Sequence, residues 1–258
     1  MNIKPYIDLL KLQYQVQFLE VIAGVLIVAP VFTSSLLFSL VLLFIASHLL
    51  MYGGLYTIND IKDIEEDRKN EHKRHRPLPS GQISSKVAMI YAATLIGSGL
   101  LIGYLFFPQS IFWIMVLLVV FNQLYTFVLK HIPFVEFLGN IITHPPRLLM
   151  GIILAGGVVS PYFLIAYFWF LLGTTTVRRT LLKQSKGSQH RANMQYYTQK
   201  RLLAIEIGCF VLLLLTLMLD PNPFSFWNCV LFVLFLTFVF GVQISSPLRK
   251  VFLLVYLR

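Results

Sequence analysis

Asn59-Asp60-Ile61-Lys62-Asp63-Ile64-Glu65-Glu66-Asp67 ends an apolar run that begins near residue 35, so a row of carboxylates stands at the end of a segment long enough to cross a membrane. If these residues are helical, Asp60, Asp63 and Asp67 fall at i, i+3 and i+7 and share one face, with about 4.5 to 6 Å of rise between neighbours. Three acids on one stripe repel each other, and the pattern predicts a cation among them. Hard oxygen ligands projecting into a shared cavity suit Mg²⁺ that is itself shared with phosphate oxygens.

Outward from this stretch the chain is predominantly apolar. Hydrophobic residues make up 57% of its 258 positions and charged residues 12%, with a mean hydropathy of +0.75, more apolar surface than a water-soluble domain can bury. With ~20 residues per crossing as the measure, spans are expected at roughly 12–32, 35–58, 86–107, 110–129, 134–157, 160–179, 201–219 and 224–243. The expected fold is all-α: a polytopic membrane bundle of eight spanning helices in a single integral-membrane domain over residues 1–258. The segment from Pro247 to Arg258 is too short to cross and is expected as a short ninth helix or an interfacial segment.

Basic residues test the span count independently. Lys4 and Lys11 precede the first span, Lys62 to Lys86 follow the second, Lys130 the fourth, Arg178 to Arg201 the sixth, and Arg249, Lys250 and Arg258 the eighth. The alternate connections, near Thr33, Pro108, Ser160 and Pro221, carry no Lys or Arg. The positive-inside rule then puts both termini and both long polar connections on the cytoplasmic side. The net charge of +10 is spread around hydrophobic hairpins with no nucleic-acid module, so topology and anionic membrane lipid account for it and no nucleic acid is expected as a partner. Glu20 interrupts the first apolar run and seven more spans follow, which reads as a retained helix and not a cleaved signal. Cys209 and Cys229 lie inside spans as small apolar fillers. The 22 Phe, 12 Tyr and 3 Trp could line an isoprenoid tunnel, but membrane helices are commonly rich in aromatics. Hydrolase, zinc-protease and Walker motifs are absent, and the nearly bare spans argue against a transporter.

Two long polar connections lie on one side, the arrangement needed to cap a cavity between helices. The first continues through Arg68, Lys69, Lys73, Arg74 and Arg76 to Pro77-Leu78-Pro79-Ser80-Gly81. Its six acids and six basic residues nearly cancel, so it is more than a positive anchor. Interleaved carboxylates and guanidiniums can hold Mg²⁺ and the phosphate oxygens that the metal leaves uncovered. A solvated helix face has a similar composition. Arg147 lies inside the fifth span, where charge is costly and faces a cavity or a partner. It reads either as an anion ligand or as an internal pair with Glu136 or Glu206. Pro145 and Pro146 should kink that span beside it, and Gly139, Gly151, Gly156 and Gly157 read as close-packing positions.

Asn59-Asp60-x-x-Asp63-x-x-x-Asp67, followed by Arg76-Pro77-Leu78-Pro79-Ser80-Gly81, resembles the first aspartate-rich motif of the UbiA superfamily of intramembrane prenyltransferases. Tyr125, Leu129-Lys130 and the stretch from Arg147 to Gly151 are similar to that superfamily as well. The resemblance implies that Asp60, Asp63 and Asp67 hold Mg²⁺ against a diphosphate, that Asn59 adds a neutral oxygen or orients the group, and that Arg74, Arg76 and Lys130 neutralise the departing diphosphate. A lipid-soluble acceptor then attacks the electron-poor carbon. A homo-oligomer or a place in a complex stays open.

One departure is plain. The family usually carries a second acidic motif after its sixth span, but from Phe137 to Ile205 this chain has no Asp or Glu. Arg178-Arg179-Thr180-Leu181-Leu182-Lys183, with Lys186 and Arg191 beyond, stands in its place. That basic stretch, with Tyr197-Thr198, is similar to the polyprenyl-phosphate phosphoribosyltransferase branch, which implies phosphoribosyl transfer to a lipid phosphate as the second reading. There Arg178, Arg179 and Arg191 would bind phosphate. A catalytically inactive scaffold or partner subunit is the third reading; the intact first motif argues against it.

Overall fold

The computed structural model describes residues 3–29, 31–184 and 196–256. Seven helices among them are long and apolar enough to cross a membrane: α1 (Lys4–Val28), α2 (Ser34–Lys62), α3 (Ser85–Phe106), α4 (Gln109–His131), α5 (Val135–Leu154), α7 (Gln199–Met218) and α8 (Phe226–Ile244). The sixth expected span is the helix α6 (Pro161–Gln184), whose 24 residues suffice in length but are diluted by Thr174-Thr175-Thr176 and Arg178-Arg179. The expected short ninth helix is α9 (Ser246–Tyr256), 11 residues. The chain is thus a multi-pass all-α membrane protein, with seven helices of full apolar length among the described residues.

Hydroxyl caps set where several helices begin. The side chains of Thr33, Ser84, Thr198 and Ser225 accept from the backbone N–H groups of Leu36, Val87, Arg201 and Asn228, satisfying amides that a helix start leaves open.

Several spans depart from plain α-helix. Lys11 takes a left-handed conformation, φ +52°, and the next residues, Leu12–Phe18, wind as a 3₁₀ helix. In α2, Phe44–Tyr52 is π-helical, a form frequent at functional sites. Where a single kinked helix was expected over 134–157, α5 is two helices, Val135–Ile141 and His144–Leu154. Pro145 and Pro146 occupy the first turn of the second, where a missing N–H costs nothing.

The residues group into two compact units. One contains the chain up to Val128 together with Pro146–Val158, the other Leu129–Pro145 with the chain from Val159 onward. The first unit has a core of Val21, Val25, Leu43, Met51, Leu55 and Met115, all inaccessible to solvent. Within it α1 and His144–Leu154 approach closely: a Cβ at Gly24 would strike the Leu148 carbonyl, and one at Gly151 the Val21 carbonyl. Gly99 sits likewise against the Ala46 carbonyl of α2. Gly156, read from the sequence as a packing position, has φ +71° and nothing near its missing Cβ, so it serves the turn that ends the helix. In the second unit Phe137, Tyr197 and Leu202 form a small aromatic cluster.

Candidate active site

The acidic stripe is not one continuous helix. α2 ends at Lys62, Asp63 has φ −95° and ψ 6°, and a short helix resumes over Ile64–Lys69. Asp60 and Asp67 are buried, while Asp63 is half-buried and accepts from Asn59 Nδ2 at 3.2 Å.

Basic side chains of the chain meet these acids. Lys11 Nζ lies 2.8 Å from Asp60, and Lys73 Nζ lies 3.1 Å from Asp67. Arg76 spans both carboxylates, its Nη1 3.0 Å from Asp67 and 3.8 Å from Asp60. The turn after Arg76 sets its position. The Ser80 hydroxyl and N–H both donate to the Arg76 carbonyl, and Gly81 adopts φ +79°. Leu78 packs with Leu9, Ile83 and Ala88 and pins the turn to the first unit's interior.

Two carboxylates therefore converge on one cation position. That suits Mg²⁺, which proteins hold through one or two carboxylates with water and phosphate oxygens completing the shell. Among the described residues no three His, Cys, Asp or Glu side chains gather as a metal site; Asp60 and Asp67 face Arg76, and Asp63 accepts from Asn59.

Arg147 is 3% exposed and has internal partners within its own unit, Tyr52 and Glu20. Its Nε and Nη2 donate to the Tyr52 hydroxyl at 3.0 and 2.8 Å, and its Nη1 lies 3.3 Å from Glu20. The glycine contacts of α1 explain this, because they bring Val21 against Gly151 and so carry Glu20 to Arg147. Tyr125 is half-buried in α4, Arg74 is exposed in the connection, and Lys130 is half-buried in the second unit.

The second unit occupies its own acids. Arg179 Nη2 reaches Glu136 at 3.0 Å and its guanidinium lies 5.7 Å from the Phe137 ring centroid, while the Tyr197 hydroxyl donates to Glu136 at 2.6 Å. Burial, then this bond to a carboxylate, pushes the Tyr197 phenol up to about 12. Glu206 accepts from Thr180 and from Gln243. The two acids that flank the acid-free stretch thus meet successive residues of α6, Arg179 and Thr180. Arg178 precedes them on that helix; Arg191 and Lys186 lie outside the described residues.

Lys11, Lys73 and Glu20 escaped sequence reasoning as site residues. Lys11 reads as a topological anchor because nothing in a lysine announces a left-handed break. The Lys73–Asp67 pair crosses a non-helical connection, where no periodic rule applies.

Comparison with known proteins agrees with this architecture. A UbiA homologue from Archaeoglobus fulgidus, solved with GPP and Mg²⁺, superposes with a TM-score of 0.76 over 97% of this chain and 95% of that one, at 16% identity, a likeness of fold. A digeranylgeranylglyceryl phosphate synthase structure gives a TM-score of 0.72 over 99% of this chain and 93% of that one, at 20% identity. In sequence, the chain is 24% identical over 243 residues to digeranylgeranylglyceryl phosphate synthase of Methanosphaera stadtmanae, covering 89% of this chain and 83% of that one. It is 26% identical over 149 residues to decaprenyl-phosphate phosphoribosyltransferase of Mycobacterium tuberculosis, covering 57% of this chain and 49% of that relative, about half its length. The sequence model of the UbiA prenyltransferase family matches residues 18–250, nearly the whole chain, and the protein belongs to that family.

Proposed function

We propose that the chain is an Mg²⁺-dependent transferase that moves an isoprenyl group from its diphosphate to a lipid-soluble acceptor within the membrane. The observation that carries this reading is the convergence of Asp60 and Asp67, 5% and 2% exposed, on the position held by Arg76 Nη1. Asp60 and Asp67 hold the metal, and Asn59 keeps the Asp63 carboxylate oriented beside them. Mg²⁺ bound there supplies positive charge to the diphosphate oxygens as the carbon–oxygen bond breaks. Arg74 and Arg76 neutralise the diphosphate as it leaves. The distribution of Lys and Arg puts the termini and the polar connections on the cytoplasmic side.

Phosphoribosyl transfer to a polyprenyl phosphate is the second reading. It is favoured by the basic stretch from Arg178 to Arg191 and by the likeness to a phosphoribosyltransferase over about half that protein's length. The test is Mg²⁺-dependent diphosphate release by purified protein, offered an isoprenyl diphosphate with phenolic and quinone-precursor acceptors, and separately phosphoribosyl diphosphate with a polyprenyl phosphate. Turnover with the first pair alone supports prenyl transfer, and with the second alone the phosphoribosyl reading. Silence with both, and no Mg²⁺ binding, leaves an inactive scaffold or partner subunit.

A further inference from the structure

Lys11 and Arg76, the cations that reach Asp60, also line a cavity of about 380 Å³ together with His72, His75 and Gln13. Ile7 and Leu12 form its apolar wall, 46% and 51% exposed, and Val16 and Leu19 extend exposed apolar surface along the same segment. The left-handed backbone at Lys11 breaks α1 at this point and leaves that lysine buried, in contact with the carboxylate and the cavity alike. A hollow rich in cationic and imidazole donors, opening onto an apolar surface, has the chemistry that holds a lipid's phosphate.

We propose that this cavity seats the phosphate of a lipid phosphomonoester, and that the seated phosphate draws Lys11 and Arg76 away from Asp60, opening that carboxylate to a divalent cation while Asp67 keeps Lys73. The proposal rests on the functional reading above. A metal ion cannot take Asp60 from Lys11 without depriving a buried ammonium, its side chain 7% exposed, of its counter-ion, and that is strongly disfavoured. A phosphate dianion within reach of Lys11 and Arg76 replaces the lost carboxylate. Asp8 also lines the cavity, so an anion that fails to engage Lys11 and Arg76 directly meets repulsion there. The apolar wall favours a phosphate that carries a lipid tail over a free one. Anion and metal then bind cooperatively, and by linkage each raises the other's affinity by the same factor.

The test is Mn²⁺ binding, followed by electron paramagnetic resonance, to the full chain in nanodiscs of phosphatidylcholine alone, with added phosphatidic acid, with added phosphatidylglycerol as the matched anionic phosphodiester, or with free inorganic phosphate. Binding to empty discs is subtracted in each case. Phosphatidic acid is expected to tighten Mn²⁺ binding about tenfold beyond phosphatidylglycerol, with free phosphate far less effective. The double variant His72→Gln, His75→Gln should lose most of that gain while binding Mn²⁺ normally in phosphatidylcholine. If Mn²⁺ binds through Asp60 with equal affinity in phosphatidic acid and phosphatidylglycerol, the inference is overturned and the functional reading stands. If free phosphate matches phosphatidic acid, the lipid assignment is overturned. If Mn²⁺ binds in none of the discs, the metal-dependent reading falls with it.

Discussion

Arg147 donates through Nη2 to the Tyr52 hydroxyl across 2.8 Å and lays its guanidinium 4.7 Å from the same ring's centroid, so one tyrosine answers both the fork and the face of the arginine. With Glu20 at 3.3 Å, the contact ties α1, α2 and the second half of α5 inside an otherwise apolar core. Arg147→Met should cost about 3 kcal/mol, because it takes a donor from the half-buried Glu20 carboxylate and from the buried Tyr52 hydroxyl. Arg147→Lys should recover less than half of this, since one ammonium cannot reproduce the planar fork. Unfolding midpoints in detergent decide it, and an unshifted midpoint for the methionine variant would rule out a structural role for the contact.

The Lys11–Asp60 pair separates stability from chemistry. Asp60→Asn leaves Lys11 facing a neutral amide and should destabilise the fold by about 3 kcal/mol. Adding Lys11→Met should return most of that stability, because a buried ion pair can be exchanged for neutral groups at little cost. Turnover should not return with it, as the metal-binding carboxylate is still missing. A double variant that regained activity would remove Asp60 from the metal site.

Asp63 makes a sharper demand on the functional reading. Its carboxylate is oriented by Asn59, and Asp63→Ala should lower turnover and raise the Mg²⁺ requirement by about 10- to 100-fold, the scale of groups that position a metal's ligands. Turnover assays across an Mg²⁺ titration supply the measurement. Full turnover with unaltered Mg²⁺ dependence would dismiss the proposed site.

Gly151→Ala tests how Glu20 is brought to Arg147. The added methyl would strike the Val21 carbonyl, and overpacking of this kind costs about 1–3 kcal/mol. Gly97→Ala, on α3 with nothing within 4 Å of its missing Cβ, serves as the comparison and should be neutral or slightly stabilising. Equal effects from the two substitutions would contradict the close approach of α1 to His144–Leu154.

Tyr197 predicts a stability change in alkali. Its phenol is raised from 10.0 to about 12, so folding favours the protonated form. The contribution is fully present below pH ~10 and is lost as the pH rises from about 10 toward 12, where the unfolded chain ionises first. Tyr197→Phe should abolish this part of the alkaline loss, seen by comparing unfolding midpoints of the two proteins across that interval. Identical alkaline profiles would show that neither burial nor the bond to Glu136 raises the phenol.

Much of the fold could be read directly. The positions of the spans follow from apolar run length and from the alternation of Lys and Arg, because both depend on composition within a short window. Asp60 and Asp67 stood out for a similar reason: charge at the end of an apolar span is costly and needs a partner. The sixth helix is where the composition rule weakened, since its threonines and arginines are tolerated by neighbours such as Glu136 and Glu206. The motif could not reveal that Asp63 interrupts the helix, nor that Arg76 returns nine residues later to Asp67.

Hydropathy, charge alternation and motif spacing are local properties, and they suffice to mark an all-α membrane protein of the UbiA kind with an acidic motif at the end of a span. Which cation answers which carboxylate was settled in three dimensions: Lys11 and Arg76 reach Asp60, Arg76 and Lys73 reach Asp67, and Arg147 reaches Glu20. Those choices depend on a left-handed break at Lys11, on glycines that let helices touch, and on a turn pinned by Leu78. They are set by packing between segments far apart in the chain, which no window of sequence contains.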